Sequence, residues 1–109
     1  MPYDQFLTDR IRTVIGRKKN ILEMKMFGGV GFLLKGNLLV GVWKDSMIVR
    51  LDTEEDELAL RERHVRAFDI TGKPMAGWIM VAAEGVANDD EVDGWVQRAV
   101  KFVSKLPAK

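Results

Sequence analysis

The sequence predicts an α+β fold in two layers, with one antiparallel sheet packed against helices. Two amphipathic segments with helical periodicity lie towards the chain ends, at residues 3–18 and 89–106. Between them, short apolar segments of strand length are separated by turn signals. These strands form a meander and then a hairpin, which favours an antiparallel sheet over β-α-β crossovers. The expected element order is α-β-β-β-α-β-β-α.

The first helix is expected over residues 3–18, because one stripe of this segment is apolar and its arginines lie off that stripe. The stripe consists of Phe6, Leu7, Ile11, Val14 and Ile15. Residues 16–20, which begin with a glycine and are otherwise polar, end the helix.

Three strands are expected next, over residues 30–35, 38–44 and 47–51. The pairs Gly36-Asn37 and Asp45-Ser46 are predicted to form the two-residue turns between them. Counting outwards from these turns places Phe32 opposite Gly41, and Gly41 opposite Arg50.

Alternation along these strands then sorts their side chains into two faces. One face holds Leu33, Leu38, Val40, Val42, Met47, Val49 and Leu51. The other holds Val30, Phe32, Leu34, Leu39, Trp43 and Ile48, with Gly41 beside Arg50. Both faces are apolar, and a two-layer protein of this size has too few helices to cover both. We therefore expect part of one face to bind a partner.

The second half of the chain is expected to contain two helices and two strands. Residues 53–56 resemble a capping box that opens a short helix. Leu58 and Val65 are the apolar residues by which this helix is expected to pack. Strands are expected over residues 67–70 and 78–83. The last helix begins at Asn88, with Glu91 three residues later, and ends before Pro107. Its apolar stripe consists of Val92, Trp95, Val96, Ala99, Val100, Val103 and Leu106.

Length and composition indicate one soluble domain over residues 1–109. The chain has no cysteine, which excludes disulfides, thiolate metal sites and a cysteine nucleophile. Its 17 basic and 16 acidic side chains give a net charge of +1, so no global field favours nucleic acid or a membrane surface. The polar start of the chain is unlike a secretory signal, and a cytoplasmic location is expected.

No catalytic, cofactor-binding or metal-binding residues are predicted, and a non-enzymatic role is favoured. The segment Gly28-Gly29-Val30-Gly31 lacks the spacing of a phosphate-binding loop and precedes a strand, so it predicts a bulge or a close backbone approach. His64 is the only histidine, and nothing in the sequence supplies it with a nucleophile to activate. The acidic residues 89–93 are explained by a capped helix start.

Two surfaces remain as candidates for binding. The segment that begins with Arg10 and ends with Lys25 is basic, but no aromatic residue is interleaved for base stacking, so a solvated helix face is favoured over nucleic-acid binding. Trp43, Trp78, Met75 and Met80 around Arg50 suit an interaction surface, although the tryptophans fit a core equally well. A half-buried Arg50 needs a partner, for which Asp69 and Glu84 are candidates. The candidate surface comprises Met26, Phe27, Gly28, Gly29, Trp43, Arg50, Lys73, Pro74, Met75, Gly77 and Trp78.

The two glycine-containing blocks, residues 26–32 and 73–78, also carry a family resemblance. These blocks resemble the N-terminal domain of the TfoX/Sxy competence regulators. The resemblance extends to the Gly-Asn turn, the strand ending at residues 48–52, and the pairs Trp95-Val96 and Leu106-Pro107. The resemblance covers nearly the whole chain and implies a bacterial cytoplasmic protein with a two-layer α+β fold. Longer members positively regulate DNA-uptake genes together with a cyclic-AMP-responsive activator, and carry a second, helical domain. This chain of 109 residues has no room for that second domain, so a stand-alone copy of the first domain is expected.

The sequence thus gives three functional hypotheses. The first is a non-catalytic regulatory module, similar to a transcription co-activator, that binds a protein partner and forms a homodimer. The second is a small anionic-ligand-binding domain or minor enzyme with a pocket near Gly28, Arg50 and Trp78. The third is direct nucleic-acid binding through the basic segment at residues 10–25.

Overall fold

The computed structural model describes residues 4–16, 21–26, 28–68 and 76–107. Its helices are α1 (Gln5–Ile15), α2 (Thr53–Ala59) and α3 (Asp89–Val103), with a 3-10 helix at Ala83–Val86. Its strands are β1 (Ile21–Met26), β2 (Gly29–Leu34), β3 (Asn37–Trp43), β4 (Ser46–Arg50), β5 (Val65–Ala67) and β6 (Trp78–Val81). No helix among these residues is long and apolar enough to cross a bilayer.

The six strands form one antiparallel sheet in the order β1-β2-β3-β4-β6-β5, which confirms the α+β class. The predicted element order lacks β1, because residues 21–26 were assigned to the basic segment. The alternation of Leu22 and Met24 with Glu23 and Lys25 is the strand signal in this segment. The strand predicted at residues 67–70 begins earlier, at Val65, and Ile70 lies outside the described residues.

The predicted hairpin registers are wrong, by one residue for the outer pairs of the first hairpin and by two residues for the second. The first turn is Lys35-Gly36, with positive φ angles of 53° and 85°, so Phe32 pairs with Val40 instead of Gly41. A two-residue turn of this type requires left-handed backbone at both positions, and here a lysine adopts it. The second turn begins at Lys44, with φ of 55°, so Gly41 pairs with Ile48 instead of Arg50.

The corrected register moves Val30 and Phe32 to the face that the helices cover, because directly paired residues share a face. A bulge follows: Phe32 pairs with Val40 while Leu33 pairs with Leu38, which leaves Leu39 as the extra residue on β3. Leu39 is fully buried in the main core.

All three α-helices place buried side chains in this main core, against the first face of the sheet. Helix α3 contributes five of them, Val92, Trp95, Val96, Ala99 and Val103, which confirms the predicted stripe. Two predicted core residues are instead exposed: Phe6 at 82% and Leu58 at 60%. In α1 the buried stripe begins one residue later, at Leu7, and in α2 the buried positions are Asp56 and Ala59.

Asp56 joins α2 to the start of β6. This carboxylate is 6% exposed and accepts a hydrogen bond from the backbone N–H of Gly77. The Gly77 carbonyl in turn accepts a 2.7 Å bond from the N–H of Leu51. Gly77 has φ of 85°, and a Cβ there would lie 3.0 Å from the Leu51 carbonyl oxygen, so this junction needs glycine.

Candidate functional site

The second face of the sheet carries a smaller apolar cluster, which we call the aromatic cluster. Ile48, Phe68 and Met80 are buried in it, and Trp43 and Trp78 pack against them half-buried. The rings of Phe68 and Trp78 are 6.3 Å apart at a tilt of 46°. The two tryptophans are therefore neither central core residues nor free surface residues: each packs against a small core, and the Lys44 Nζ lies 4.6 Å from the centroid of the Trp43 ring.

Arg50 lies beside this cluster, paired with Trp78 across β4 and β6. Its guanidinium carbon is 4.8 Å from the centroid of the Trp78 ring and 5.7 Å from that of Phe102 on α3. Aromatic rings of this kind attract a cation through their quadrupoles, so they provide contacts for the half-buried charge. Of the expected carboxylate partners, Asp69 lies outside the described residues, and Glu84 lines a groove described below.

The glycines before β2 allow two strands to approach closely. Gly28 turns the chain with φ of 77°, and a Cβ on Gly29 would lie only 2.1 Å from the carbonyl oxygen of Val42. This confirms the predicted close approach, because backbone occupies the space that any side chain would need. A strand follows Gly28 directly, as predicted, so the segment does not offer a helix N-terminus to a phosphate group.

The described members of the predicted surface fall into two groups. Gly28, Gly29 and Trp43 lie at the end of the sheet where β3 turns into β4. Arg50, Gly77 and Trp78 lie at the other end of β4, four residues or about 13 Å away. Phe27, Lys73, Pro74, Met75 and the side chain of Met26 lie outside the described residues.

Strand β1 adds exposed apolar side chains that the sequence reasoning missed. Leu22 is 71% exposed and Met24 is 51% exposed. Met24 pairs with Gly31, Gly31 with Gly41, and Gly41 with Ile48, so Met24 lies on the same face as the aromatic cluster. Between Met24 and Ile48 this face carries only Gly31 and Gly41, and both glycines are buried.

A groove of about 720 Å³ lies on another side of the molecule, beside His64. Its wall includes three arginines and three glutamates: Arg61, Arg63, Arg98, Glu62, Glu84 and Glu91. Arg98 bonds Glu62 at 3.0 Å and lies 4.2 Å from the centre of the Trp95 ring. His64 has φ of 67°, and Gly85 makes room for it, since a Cβ there would lie 3.1 Å from the Cβ of His64.

The described part of the basic segment is divided between α1 and β1, so the prediction of one solvated helix face is wrong. Arg17, Lys18 and Lys19 lie outside the described residues. Arg10 donates to the carbonyls of Val86 and Ala87, at 3.0 and 2.6 Å. Arg12 donates two hydrogen bonds to Glu23, at 2.7 and 2.6 Å, and these lower the pKa of the Glu23 carboxyl. Both guanidinium groups are therefore used to hold elements of the fold together, which leaves less of the segment available for phosphate groups.

The acidic start of α3 is a helix cap, as predicted. The side chain of Asn88 accepts from the N–H of Glu91 at 2.9 Å, and the acidic residues that follow lie in the first helical turn. Within residues 4–16, 21–26, 28–68 and 76–107, no three potential metal ligands come together.

The fold and its surfaces define a small α+β domain with an apolar sheet face and an exposed edge strand. Residues 15–103 match the model of the TfoX N-terminal domain, and the chain belongs to this family. No curated protein and no solved structure matches the chain.

Proposed function

We propose that this domain is a non-catalytic, competence-regulator-like module that acts by binding a protein partner and by self-association. Membership of the TfoX N-terminal domain family supports a regulatory role. The observation that carries the proposal is the exposure of Leu22 and Met24 on β1, on the same face of the sheet as the half-buried Trp43 and Trp78.

The composition of this face suits a protein interface. Aromatic residues, methionine and arginine are the types enriched at such interfaces, and this face of the sheet carries Met24, Trp43, Arg50 and Trp78. Methionine adapts its shape to a partner, and a half-buried tryptophan presents a large rigid area at a low entropic cost.

The test is affinity capture from an extract of the source organism, with the tagged domain and half of the extract treated with nuclease. We expect one protein to be retained in both halves, and to bind again when it is purified and recombined with the domain. The Leu22→Ser/Met24→Ser variant should lose this partner. The matched control is Leu58→Ser/Leu60→Ser, which removes two exposed apolar side chains from α2 and its end.

Two outcomes would contradict the proposal. Retention of nucleic acid alone, lost on nuclease treatment, would favour the basic segment as the functional surface. Equal loss of the partner in both double variants would show that the β1 side chains have no special role in recognition.

A second candidate function is the binding of a small anionic ligand, and the groove beside His64 favours it. Its volume lies in the range of ligand pockets, and Arg61 and Arg63 on its rim offer charge-assisted hydrogen bonds. Gly94 on α3 also lines it, and a Cβ there would contact nothing within 4 Å.

This candidate is tested by thermal unfolding against a panel of small phosphate and carboxylate compounds. A true ligand at one hundred times its Kd stabilises the fold by about 2.7 kcal/mol. The Gly94→Leu variant, which fills the groove, should abolish the shift. Gln97→Leu makes a similar change on an exposed part of α3 and should retain it. An unchanged shift in Gly94→Leu would place the ligand elsewhere.

A further inference from the structure

The two edges of the sheet differ in how they are protected against pairing with another chain. At one edge, β5 is only three residues long and carries the exposed Arg66. At the other, β1 is six residues long and pairs with β2 on one side only, among the described strands. Natural edge strands are usually short, charged or bulged; β1 carries the charged Glu23 and Lys25, but it is long, regularly paired and exposes Leu22 and Met24.

The charged residues of β1 determine which charge pattern a strand must have to pair with this edge. Glu23 and Lys25 are two residues apart and lie on the same face of the strand, on either side of Met24. Two copies of one strand can pair antiparallel about a two-fold axis perpendicular to the sheet. Residues directly opposite then have side chains on the same face, so an odd-numbered residue lies opposite an odd-numbered one and an even-numbered residue opposite an even-numbered one. With Met24 opposite itself, Glu23 of each copy faces Lys25 of the other.

The neighbouring registers are unfavourable. If the two-fold axis moves by one residue along β1, from Met24 to Glu23 or to Lys25, then Glu23 lies opposite Glu23 of the other copy, or Lys25 opposite Lys25. Like charges directly opposite in a sheet destabilise the pair, whereas opposite charges stabilise it. The charge pattern of β1 is therefore self-complementary in a single register among these three.

We propose that a second copy of this chain pairs antiparallel along β1, with Met24 at the two-fold axis, so that one sheet continues through both copies. The inference rests on the self-association in the proposed function, and it names the edge and the register. Leu22 and Met24 of both copies then form one apolar row on the face of the aromatic cluster. The symmetry is closed, so the association stops at a dimer.

Arg12 prepares the charged side of this interface. It holds the Glu23 carboxylate with two hydrogen bonds, and the Glu23 side chain is still 33% exposed. A carboxylate has lone pairs for more than two donors, so Glu23 can accept Lys25 of the second copy without releasing Arg12. The side chain is already ordered in the single chain, which lowers the entropic cost of the new contact.

The test is sedimentation equilibrium of the full chain and its charge-reversed variants. We expect the unmodified chain to dimerise at micromolar concentrations. Glu23→Lys and Lys25→Glu should each weaken the dimer about tenfold or more, because two like-charge contacts replace two attractive ones by symmetry. An equimolar mixture of these two variants should recover the dimer, since every 23–25 contact between the different chains is attractive again.

Lys105→Glu is the matched control, because it makes the same charge change at an exposed site after α3, and it should leave the dimer unchanged. Thermal unfolding of each variant separates a loss of pairing from a loss of folding. A chain that stays monomeric at high micromolar concentration would overturn both this inference and the self-association in the proposed function, but not partner binding. A dimer insensitive to both reversals would overturn the β1 edge alone, and a mixture that stays monomeric would overturn the register.

Discussion

At the scale of single residues, the glycines of this domain have opposite roles that their sequence positions do not reveal. Gly29 lies where the backbone of β3 fills the space beside it, with the Val42 carbonyl oxygen 2.1 Å from the place of a Cβ. Gly94 lies in the middle of α3 with nothing within 4 Å of that place. The first glycine is required by packing, and the second lowers helix stability without a packing benefit.

These roles predict opposite effects of the same substitution. Gly29→Ala should lower the free energy of unfolding by about 3 kcal/mol, because the strands must separate to admit the methyl group. Gly94→Ala should raise it by about 0.5–1 kcal/mol through helix propensity. Chemical denaturation of both variants measures this contrast, and an equal effect in the two would contradict the geometry.

The Asp56 carboxylate makes a second prediction at this scale. Asp56→Ala should lower the free energy of unfolding by about 1–3 kcal/mol, because it leaves the N–H of Gly77 without its acceptor in a buried place. Asp56→Asn keeps a carbonyl oxygen there and should recover most of the loss. Thermal unfolding of the two variants measures the difference. If Asp56→Asn were as unstable as Asp56→Ala, the hydrogen bond would not explain the buried carboxylate.

At the scale of secondary-structure elements, β1 is tied to α1 by the Arg12–Glu23 pair. The pairing lowers the pKa of Glu23 below its ordinary value of 4.5. A carboxyl whose pKa is lower in the folded chain stabilises the fold fully above its unfolded pKa, and loses that contribution as the pH falls through the folded pKa.

The expected stability difference between the unmodified chain and Glu23→Gln is therefore constant near neutral pH and shrinks below about pH 4.5. The difference should be about 1 kcal/mol or less, since the pair is partly exposed and solvent screens it. Urea denaturation at a series of pH values, at a protein concentration low enough to keep single chains, measures it. A difference that grows on acidification would have the wrong sign for this pair.

The elements also show where sequence reasoning succeeds and where it fails. The cap at Asn88, the stripe of α3 and the close approach at Gly29 were predictable, because each depends on residue types at fixed spacing. The hairpin registers were not, because Lys35 and Lys44 adopt positive φ angles that lysine rarely takes. The charges of β1 concealed its alternating pattern, since they were attributed to a basic helix face.

At the scale of the whole molecule, the division of the sheet's side chains between the main core and the aromatic cluster follows from the corrected pairing. The α+β class and the surplus of apolar residues were predictable from periodicity and composition. The groove beside His64 was not, since its wall combines the loop after α2, the 3-10 helix and α3, which are remote in sequence. Arg50 was predictable as a half-buried charge in an apolar strand, but its contacts with Trp78 and Phe102 depend on tertiary structure.

The strand order also has a consequence for the sequence of events as the chain is synthesised. β1 to β4 are joined by short turns, so the contacts of this meander are local in sequence, and local contacts favour early formation. β5 is made before β6 but pairs only with β6 among the described strands, and β6 in turn lies against β4. β5 must therefore wait for a later segment, and the earliest strand in the chain, β1, is available to a neighbouring nascent copy before the domain is complete.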